Sequence, residues 1–216
     1  MFLNAPGIVF VNSSSDTLLD ISTFAQQGCT AAWSFRSTDP DRTRPYLSLY
    51  VVPNTSSIQT PSHPRDNQHG AIPPKSDFIE TDIRYYERIQ LYSKSTPTSP
   101  KTGIGKVIKC TAIHLSAGTE AEFDRWYREE HLEQVSRMPG WRKTTRYELI
   151  SSNRFEDAEV PPHYLAIHEF EEGTEVKRMK KDEWTKWTRR MVDSALKIEE
   201  GTFEFVSGLG RVDVGL

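Results

Sequence analysis

The 216-residue chain is poor in cysteine and has no long apolar run. Its two cysteines, Cys29 and Cys110, form no CxxC pair, which argues against a zinc site or a secreted disulfide framework and favours a reducing compartment. No stretch reaches the roughly 18 apolar residues of a membrane-spanning helix. The apolar stretch 1–11 lacks a basic start and is interrupted by Pro6-Gly7, so no signal peptide is expected.

Basic residues are also not concentrated anywhere in the chain. The formal net charge is -3, and the Lys and Arg residues are spread along the sequence. Nucleic-acid binding needs a clustered basic surface, so the sequence predicts a small-molecule partner and neither nucleic acid nor membrane. A cytoplasmic protein is expected.

The C-terminal half has the pattern of a βαββαβ unit. Residues 106–216 form this unit, and the linker 93–105, which contains Thr-Pro-Thr-Ser-Pro, separates it from the N-terminal half. The predicted elements are the strand Val107–Leu115, the helix Glu120–Met138, the strands Trp141–Ile150 and Tyr164–Phe170, the helix Asp182–Lys197 and the strand Thr202–Val206.

The N-terminal half, residues 1–92, repeats this order less completely. In place of a second helix it has Pro53–Ser76, rich in Pro, Ser, Thr and Asn and containing His63 and His69, which is typical of a long exposed loop. The predicted elements are the strand Ile8–Val11, a short helix at Thr17–Gln26, and the strands Ala31–Arg36, Tyr46–Val52 and Ile83–Leu91.

The run 119–141 is the most informative part of the chain. Thr119 and Glu122 have the spacing of a capping box at a helix start, and Pro139-Gly140 is a stop signal. Apolar and aromatic residues between them recur at helical spacing and place an ionisable imidazole, His131, on the buried face. The residues of that face are Phe123, Trp126, Tyr127, His131 and Val135.

This run resembles the Trp-Tyr-x-x-Glu-His helix of the EthD-like family in the dimeric α/β barrel superfamily. The Pro139-Gly140 pair and the Arg146-Tyr147 strand also match, and the likeness covers about Val107 to Val206. The resemblance implies ferredoxin-like βαββαβ units whose sheets pair into a barrel. It also implies a small hydrophobic ligand, chemistry without a cofactor and, for several fungal members, decarboxylase or cyclase activity in polyketide pathways.

A four-stranded ferredoxin-like sheet leaves one face bare, and a second sheet must cover it. Because this chain has two strand-rich halves, we expect an α+β fold in which both halves close an intramolecular barrel. The N-terminal half has no counterpart of the Trp-Tyr-x-x-Glu-His helix, so one pocket is expected, between the C-terminal sheet and its helix.

Topology decides which histidines can meet. The first helix runs back along the first strand, which brings His131 towards the end of the third strand and His168, whereas His114 is expected nearer Tyr164. Alternation puts Ile108, Cys110, Ala112 and His114 on one face of their strand, and Tyr164, Ala166, His168 and Phe170 on one face of theirs. The small residues at the middle of both strands would leave room for a ligand.

A neutral imidazole in an apolar setting is suited to proton transfer. The predicted catalytic residues are His131, His168, His114 and Tyr127. The predicted substrate-binding residues are Trp126, Phe123, Tyr164, Trp141 and Arg146.

The leading hypothesis is a cofactor-independent lyase or isomerase (decarboxylase, dehydratase or cyclase) acting on a small aromatic or polyketide-like acid in secondary metabolism. One alternative is a non-catalytic small-molecule-binding or stress-associated barrel protein, in which His131 is only a satisfied core residue. A haem-linked oxidoreductase is the other. No cofactor or metal site is predicted, and the chain is expected to be a monomer or homodimer.

Overall fold

A computed structural model describes residues 5–15, 28–58, 81–94, 103–153 and 160–210. Eight strands, three short α-helices, one π-helical turn and two 3-10 turns make up the regular structure of these ranges. The predicted helix Thr17–Gln26 and most of the loop Pro53–Ser76 lie outside the described residues.

The four N-terminal strands lie close to their predicted positions. A single 3-10 turn, Thr55–Ser57, follows the third of them. The strands are β1 (Gly7–Ser13), β2 (Ala31–Ser37), β3 (Tyr46–Val52) and β4 (Asp82–Ser93).

In the C-terminal half, the strands Val107–Leu115 and Tyr164–Phe170 have the predicted bounds. A 3-10 turn, Lys181–Glu183, precedes the last helix. The elements are β5 (Val107–Leu115), α1 (Glu120–Trp126), a π-helical turn (Tyr127–His131), α2 (Leu132–Val135), β6 (Trp141–Ser152), β7 (Tyr164–Phe170), α3 (Lys186–Asp193) and β8 (Ala195–Gly210).

All eight strands form one closed barrel in the order β1-β3-β2-β8-β5-β7-β6-β4. Every pair is antiparallel, and the two halves join where β2 pairs with β8 and β4 pairs with β6. Large buried side chains such as Trp33, Phe35 and Phe203 fill the interior, so the barrel is packed and is not a pore. The predicted intramolecular α/β barrel is confirmed.

The predicted helix Asp182–Lys197 is wrong at both ends. Thr185 caps α3 by accepting a hydrogen bond from the Thr188 amide, and α3 ends at Asp193. Lys197 belongs to β8, which is much longer than the predicted strand Thr202–Val206. The physical reason is that β8 has two partners. It pairs with β5 from Ala195 to Glu204 and with β2 from Phe203 to Gly210.

The predicted capping box is also wrong. Thr119 itself has a helical backbone, and its hydroxyl donates to the Ser116 carbonyl at 2.7 Å. Glu122 is ion-paired with Arg190 of α3. The helical run ends at Val135, three residues before the predicted Met138.

Among the described residues, no helix is both long and apolar enough to cross a membrane.

Candidate functional site

The outer face of the C-terminal sheet, towards the helices, forms the floor of a cavity. Antiparallel register places Lys109 of β5 opposite His168 of β7, and Thr111 opposite Ala166. The side chains of β5 and β7 alternate as predicted, but the two predicted sets lie on opposite sides of the sheet. The set that contains Cys110 points into the barrel core, whereas the set that contains His168 points towards the helices. Ala166 lies on the helix side but lines a narrow crevice and not the cavity, and Cys110 and Ala112 face the barrel core.

His114 lies on the other side of this sheet from His131 and His168. It shares the alternation of Cys110 and pairs in register with Lys197 of β8. Its neighbour Ile113, and not His114, faces the cavity beside Tyr164. The structure therefore does not bring His114 together with the other two histidines.

The cavity has a volume of about 370 Å³ and lies between this floor, the first helical run and the segment that leads into α3. The helical run contributes the wall and the segment 177–184 with α3 contributes the cover. Its lining includes Lys109, Thr111, Ile113, Trp126, Tyr127, His131, Val135, His168, Phe170, Trp184, Thr188, Ile198 and Glu200.

A π-helical turn shapes the wall. In a regular α-helix, residues five apart point about 140° away from each other, so Trp126 and His131 could not stack. The Leu132 amide instead donates to the Tyr127 carbonyl, which is the i to i-5 bond of a π-turn. As a result the His131 ring stacks on the Trp126 ring, with centroids 4.3 Å apart and planes at 23°. Such turns are often found at functional sites.

Glu130 holds the Trp126 ring in this stacked position. Its carboxylate accepts hydrogen bonds from the Trp126 indole at 3.2 Å, the Thr185 hydroxyl at 2.6 Å and the Thr188 hydroxyl at 3.0 Å. One side chain therefore joins the π-turn to the start of α3 and holds the ring on which His131 stacks. The Glu of the Trp-Tyr-x-x-Glu-His run was the sequence signal for this role.

The two histidines meet as the topology predicts. The ring centroids of His131 and His168 are 6.2 Å apart, with the planes nearly perpendicular at 77°. The Nδ1 atom of His131 is buried, and the Gln134 side chain lies beside the ring. Their catalytic roles stay predictions.

His168 is held by a short chain of hydrogen bonds. The Trp141 indole donates to the Thr144 hydroxyl at 3.1 Å, and that hydroxyl lies 2.9 Å from Nδ1 of His168. Because Thr144 is fully buried, the simplest assignment has its hydroxyl donate to Nδ1. The proton of His168 is then on Nε2.

Trp141, a predicted substrate-binding residue, is not among the residues that line the cavity. Its ring packs against Tyr92, with centroids 5.7 Å apart, and its indole reaches Thr144 behind His168. Trp141 is the first residue of β6, where it pairs with Phe170 and packs with Val135 and Phe170 beside the cavity. Trp141 therefore acts on the site through His168.

Burial keeps both imidazoles neutral. Desolvation lowers the pKa of His131 from its usual 6.5 to about 4, and the nearby positive charge of Lys109 acts in the same direction. Burial, followed by His131 and Lys109, holds the pKa of His168 well below its usual range. At neutral pH both rings are therefore uncharged, and His131 has a nitrogen lone pair that can accept a proton, whereas the lone pair of His168 accepts the hydrogen bond of Thr144.

Tyr127 divides the cavity from a narrow crevice that contains the other predicted binding residues. Its ring lies edge-on to His131 at 5.0 Å and over the Arg146 guanidinium at 4.1 Å. Burial raises the pKa of Tyr127 to about 12, so its hydroxyl stays protonated and can donate. Phe123, Tyr164 and Arg146 line the crevice behind it and do not line the main cavity.

Arg146 is engaged mainly with protein groups. Its Nη1 donates to Gln90 at 2.6 Å and to Asp124 at 2.8 Å, whereas its buried Nη2 has no hydrogen-bond partner. The crevice beside it is too small for a ligand unless Tyr127 moves. A substrate-binding role for Arg146 stays a prediction.

The polar part of the cavity floor was not predicted from the sequence. Glu200 of β8 forms ion pairs with Lys109, at 3.1 Å, and with Arg178 of the covering segment. Although burial opposes the shift, Lys109 and Arg178 hold the pKa of Glu200 below its usual range. The available signal was the alternation of Lys109 with Cys110 on β5.

A second cavity of about 400 Å³ is present, although one pocket was predicted. It is strongly polar, and a buried ion pair closes one side of it, in which Arg84 contacts Asp82 at 2.6 Å and Glu199 at 2.8 Å. Asn12, Arg42 and Lys197 also line it. In the described ranges, no group of three or more His, Cys, Asp or Glu side chains is placed to hold a metal ion.

No protein-family model matches the chain. The sequence is similar to core atranone cluster (CAC) protein 1 of Stachybotrys chlorohalonatus (strain IBT 40285), with 27% identity over 153 residues. That match spans 64% of this chain and 64% of the relative's length.

Solved structures share the fold at low sequence identity. An anthrone oxidase-like protein superposes with a TM-score of 0.59 and 9% identity, covering 96% of this chain and 93% of that one. A monooxygenase candidate from Fusobacterium nucleatum gives a TM-score of 0.50 and 8% identity, covering 99% and 98%. These similarities establish the α+β barrel and leave the chemistry to be argued from the site.

Proposed function

We propose that the protein is a cofactor-independent enzyme that removes a proton from a carbon atom of a flat aromatic or polyketide-like substrate. The observation that carries the proposal is the pair of neutral imidazoles, 6.2 Å apart, at the edge of a cavity of about 370 Å³. Aromatic rings of Trp126 and Trp184 suit a flat ligand.

His131 is the candidate base. Its depressed pKa keeps it unprotonated at neutral pH, and stacking on Trp126 fixes its ring plane. His168 carries its proton on Nε2 in the tautomer assigned above and is a candidate hydrogen-bond donor to a substrate carbonyl. Tyr127 is a second candidate donor because its hydroxyl stays protonated. Base and donor together would stabilise an enolate, the intermediate common to decarboxylation, dehydration and ring closure.

Proton removal leaves a carbanion, the enolate, and the fold shared with the anthrone oxidase-like protein supports a second reaction for it. The carbanion would react with dioxygen, one oxygen atom would remain as a carbonyl and the other would leave as water. A CH₂ group and O₂ thus give C=O and H₂O, with the substrate as the only reductant. The same His131 would perform the first proton removal in either case.

Deuterium incorporation tests the shared step. A panel of anthrone-type and aromatic β-keto compounds is incubated with the protein in D₂O, and exchange at the acidic carbon is followed by NMR. His131→Gln is expected to slow exchange by about 10²- to 10⁴-fold, and His168→Phe by less. His163→Gln, which changes an exposed histidine paired with Glu148, is the matched control and is expected to exchange normally.

The outcomes separate the hypotheses. Oxygen uptake in step with exchange favours the oxidase, and exchange or product without oxygen uptake favours a lyase or isomerase. Tight binding of a compound without exchange or product supports the non-catalytic binding protein. If His131→Gln exchanges at the wild-type rate on a confirmed substrate, the base is another group.

A further inference from the structure

The cavity that holds the two histidines has more positive than negative side chains. Since both imidazoles are neutral at neutral pH, four cations and two carboxylates leave an excess of two positive charges. The charged lining residues are Lys109, Lys177, Arg178, Lys181, Asp193 and Glu200. A surface of this sign attracts an anion.

Lys109 is the cation placed deepest in this lining. Its side chain is 18% exposed, against 77% for Lys177 and 77% for Arg178 at the rim. It projects from the floor directly opposite His168 in the strand register. Its charge also acts on both imidazoles, since it helps to lower the pKa of His131 and of His168.

The ammonium group of Lys109 has donors to spare. An ammonium has three N–H donors, and among the described residues Glu200 is its ion-pair partner, at 3.1 Å. Glu200 in turn also holds Arg178, so its charge is shared between two cations. Lys109 can therefore donate to a second anionic oxygen while it keeps its ion pair with Glu200.

We infer that the substrate carries a carboxylate and that Lys109 binds it on the cavity floor beside His168. This inference rests on the proposed function of the same cavity and specifies its substrate class. A carboxylate bound there lies next to both imidazoles, which orients the adjoining carbon towards His131. It also offsets the positive charge that disfavours a protonated imidazole, so binding would make His131 a better base.

Calorimetric binding of a matched pair of probes to the full chain tests the inference at pH 7.5. The probes are 2-naphthoate and its neutral amide, 2-naphthamide, which have nearly the same shape. Wild-type protein is expected to bind the acid about 10- to 100-fold more tightly than the amide, the range for a hydrogen bond to a charged group. Lys109→Met is expected to remove this preference while leaving amide binding unchanged, and Lys109→Arg to restore most of it.

Lys94→Met is the matched control, because it removes the same charge from outside the cavity, where Lys94 is paired with Glu133 at 2.8 Å. It is expected to keep the acid preference. Equal binding of acid and amide by the wild type, binding of neither, or an equal loss in both lysine variants would overturn the inference.

Equilibrium binding also separates this inference from the enzyme proposal. His131→Gln is expected to keep the acid preference, because that residue takes part in proton transfer and not in carboxylate binding. Acid preference without any carbon exchange would leave Lys109 in its role and remove the enzyme proposal. Carbon exchange without a preference for acids would support the enzyme proposal and remove the carboxylate-binding role of Lys109.

Discussion

The neutral state of His131 should make the stability of the fold depend on pH in a defined direction. In the folded chain burial lowers the pKa of His131 to about 4, whereas the usual value of 6.5 applies when the chain is unfolded. Between these values the unfolded state binds more protons than the folded state. Acidification therefore favours unfolding, and the stability contributed by the neutral ring is lost as the pH falls from about 6.5 to about 4.

The magnitude follows from the shift. Each pH unit between the two pKa values costs about 1.4 kcal/mol, so going from pH 7 to pH 5 should remove about 2 kcal/mol through His131 alone. His168, whose pKa is also well below its usual range, acts in the same direction. Glu169 acts in the opposite direction, because burial raises its pKa. Only the difference between wild type and a variant isolates one group.

The assay is urea unfolding of the wild type and of His131→Gln at pH 5, 6, 7 and 8. The loss of unfolding free energy between pH 7 and pH 5 should be smaller in the variant by about 2 kcal/mol. Between pH 7 and pH 8 the two proteins should change in parallel, since the ring is neutral in both states. An equal loss in both proteins between pH 7 and pH 5 would refute a neutral, buried His131 and with it the proposed base.

Three other perturbations test the surroundings of the site and the barrel. Thr144→Val should cost about 1–3 kcal/mol in urea unfolding because it leaves Nδ1 of His168 buried without a partner, and Thr144→Ser should recover most of this. Glu130→Ala should destabilise the fold by a similar amount and shift the tryptophan emission, since its carboxylate binds three donors, whereas the exposed neighbour Glu129→Ala should do neither. Expressed alone, residues 106–216 should aggregate or form homodimers by gel filtration, because the barrel face of their sheet is uncovered; a stable monomer with sharp unfolding would contradict this.

Much of the fold could be predicted from local pattern. The strands Val107–Leu115 and Tyr164–Phe170 have their predicted bounds because each alternates between a packed barrel interior and a helix-covered face. The approach of His131 to His168 followed from topology, since a helix that runs back along the first strand must end near the end of the third. Both conclusions depend on order and direction alone.

The remaining features depend on tertiary contacts. The sequence could not predict which face of β5 lines the cavity, because Lys109 and Cys110 alternate and both faces of the sheet are covered. The π-turn needs one extra residue in a helix whose spacing otherwise reads as regular. The residues Ala195–Lys197 continue the apolar pattern of α3, yet pairing with β5 draws them into β8.

The N-terminal half reaches the site although it carries none of the site's histidines. In the described part of that half, the outer sheet face is packed with apolar and tyrosine side chains such as Val9, Tyr50 and Tyr85. Its pairing with β8 nevertheless fixes the strand that carries Glu200, and Arg42 donates to the Glu200 carbonyl at 3.0 Å. The side chain of Glu200 forms ion pairs with Lys109 and Arg178 on the cavity side. Closing the barrel within one chain thus fixes the charged floor of the cavity, and the C-terminal helical run supplies the imidazole that would act above it.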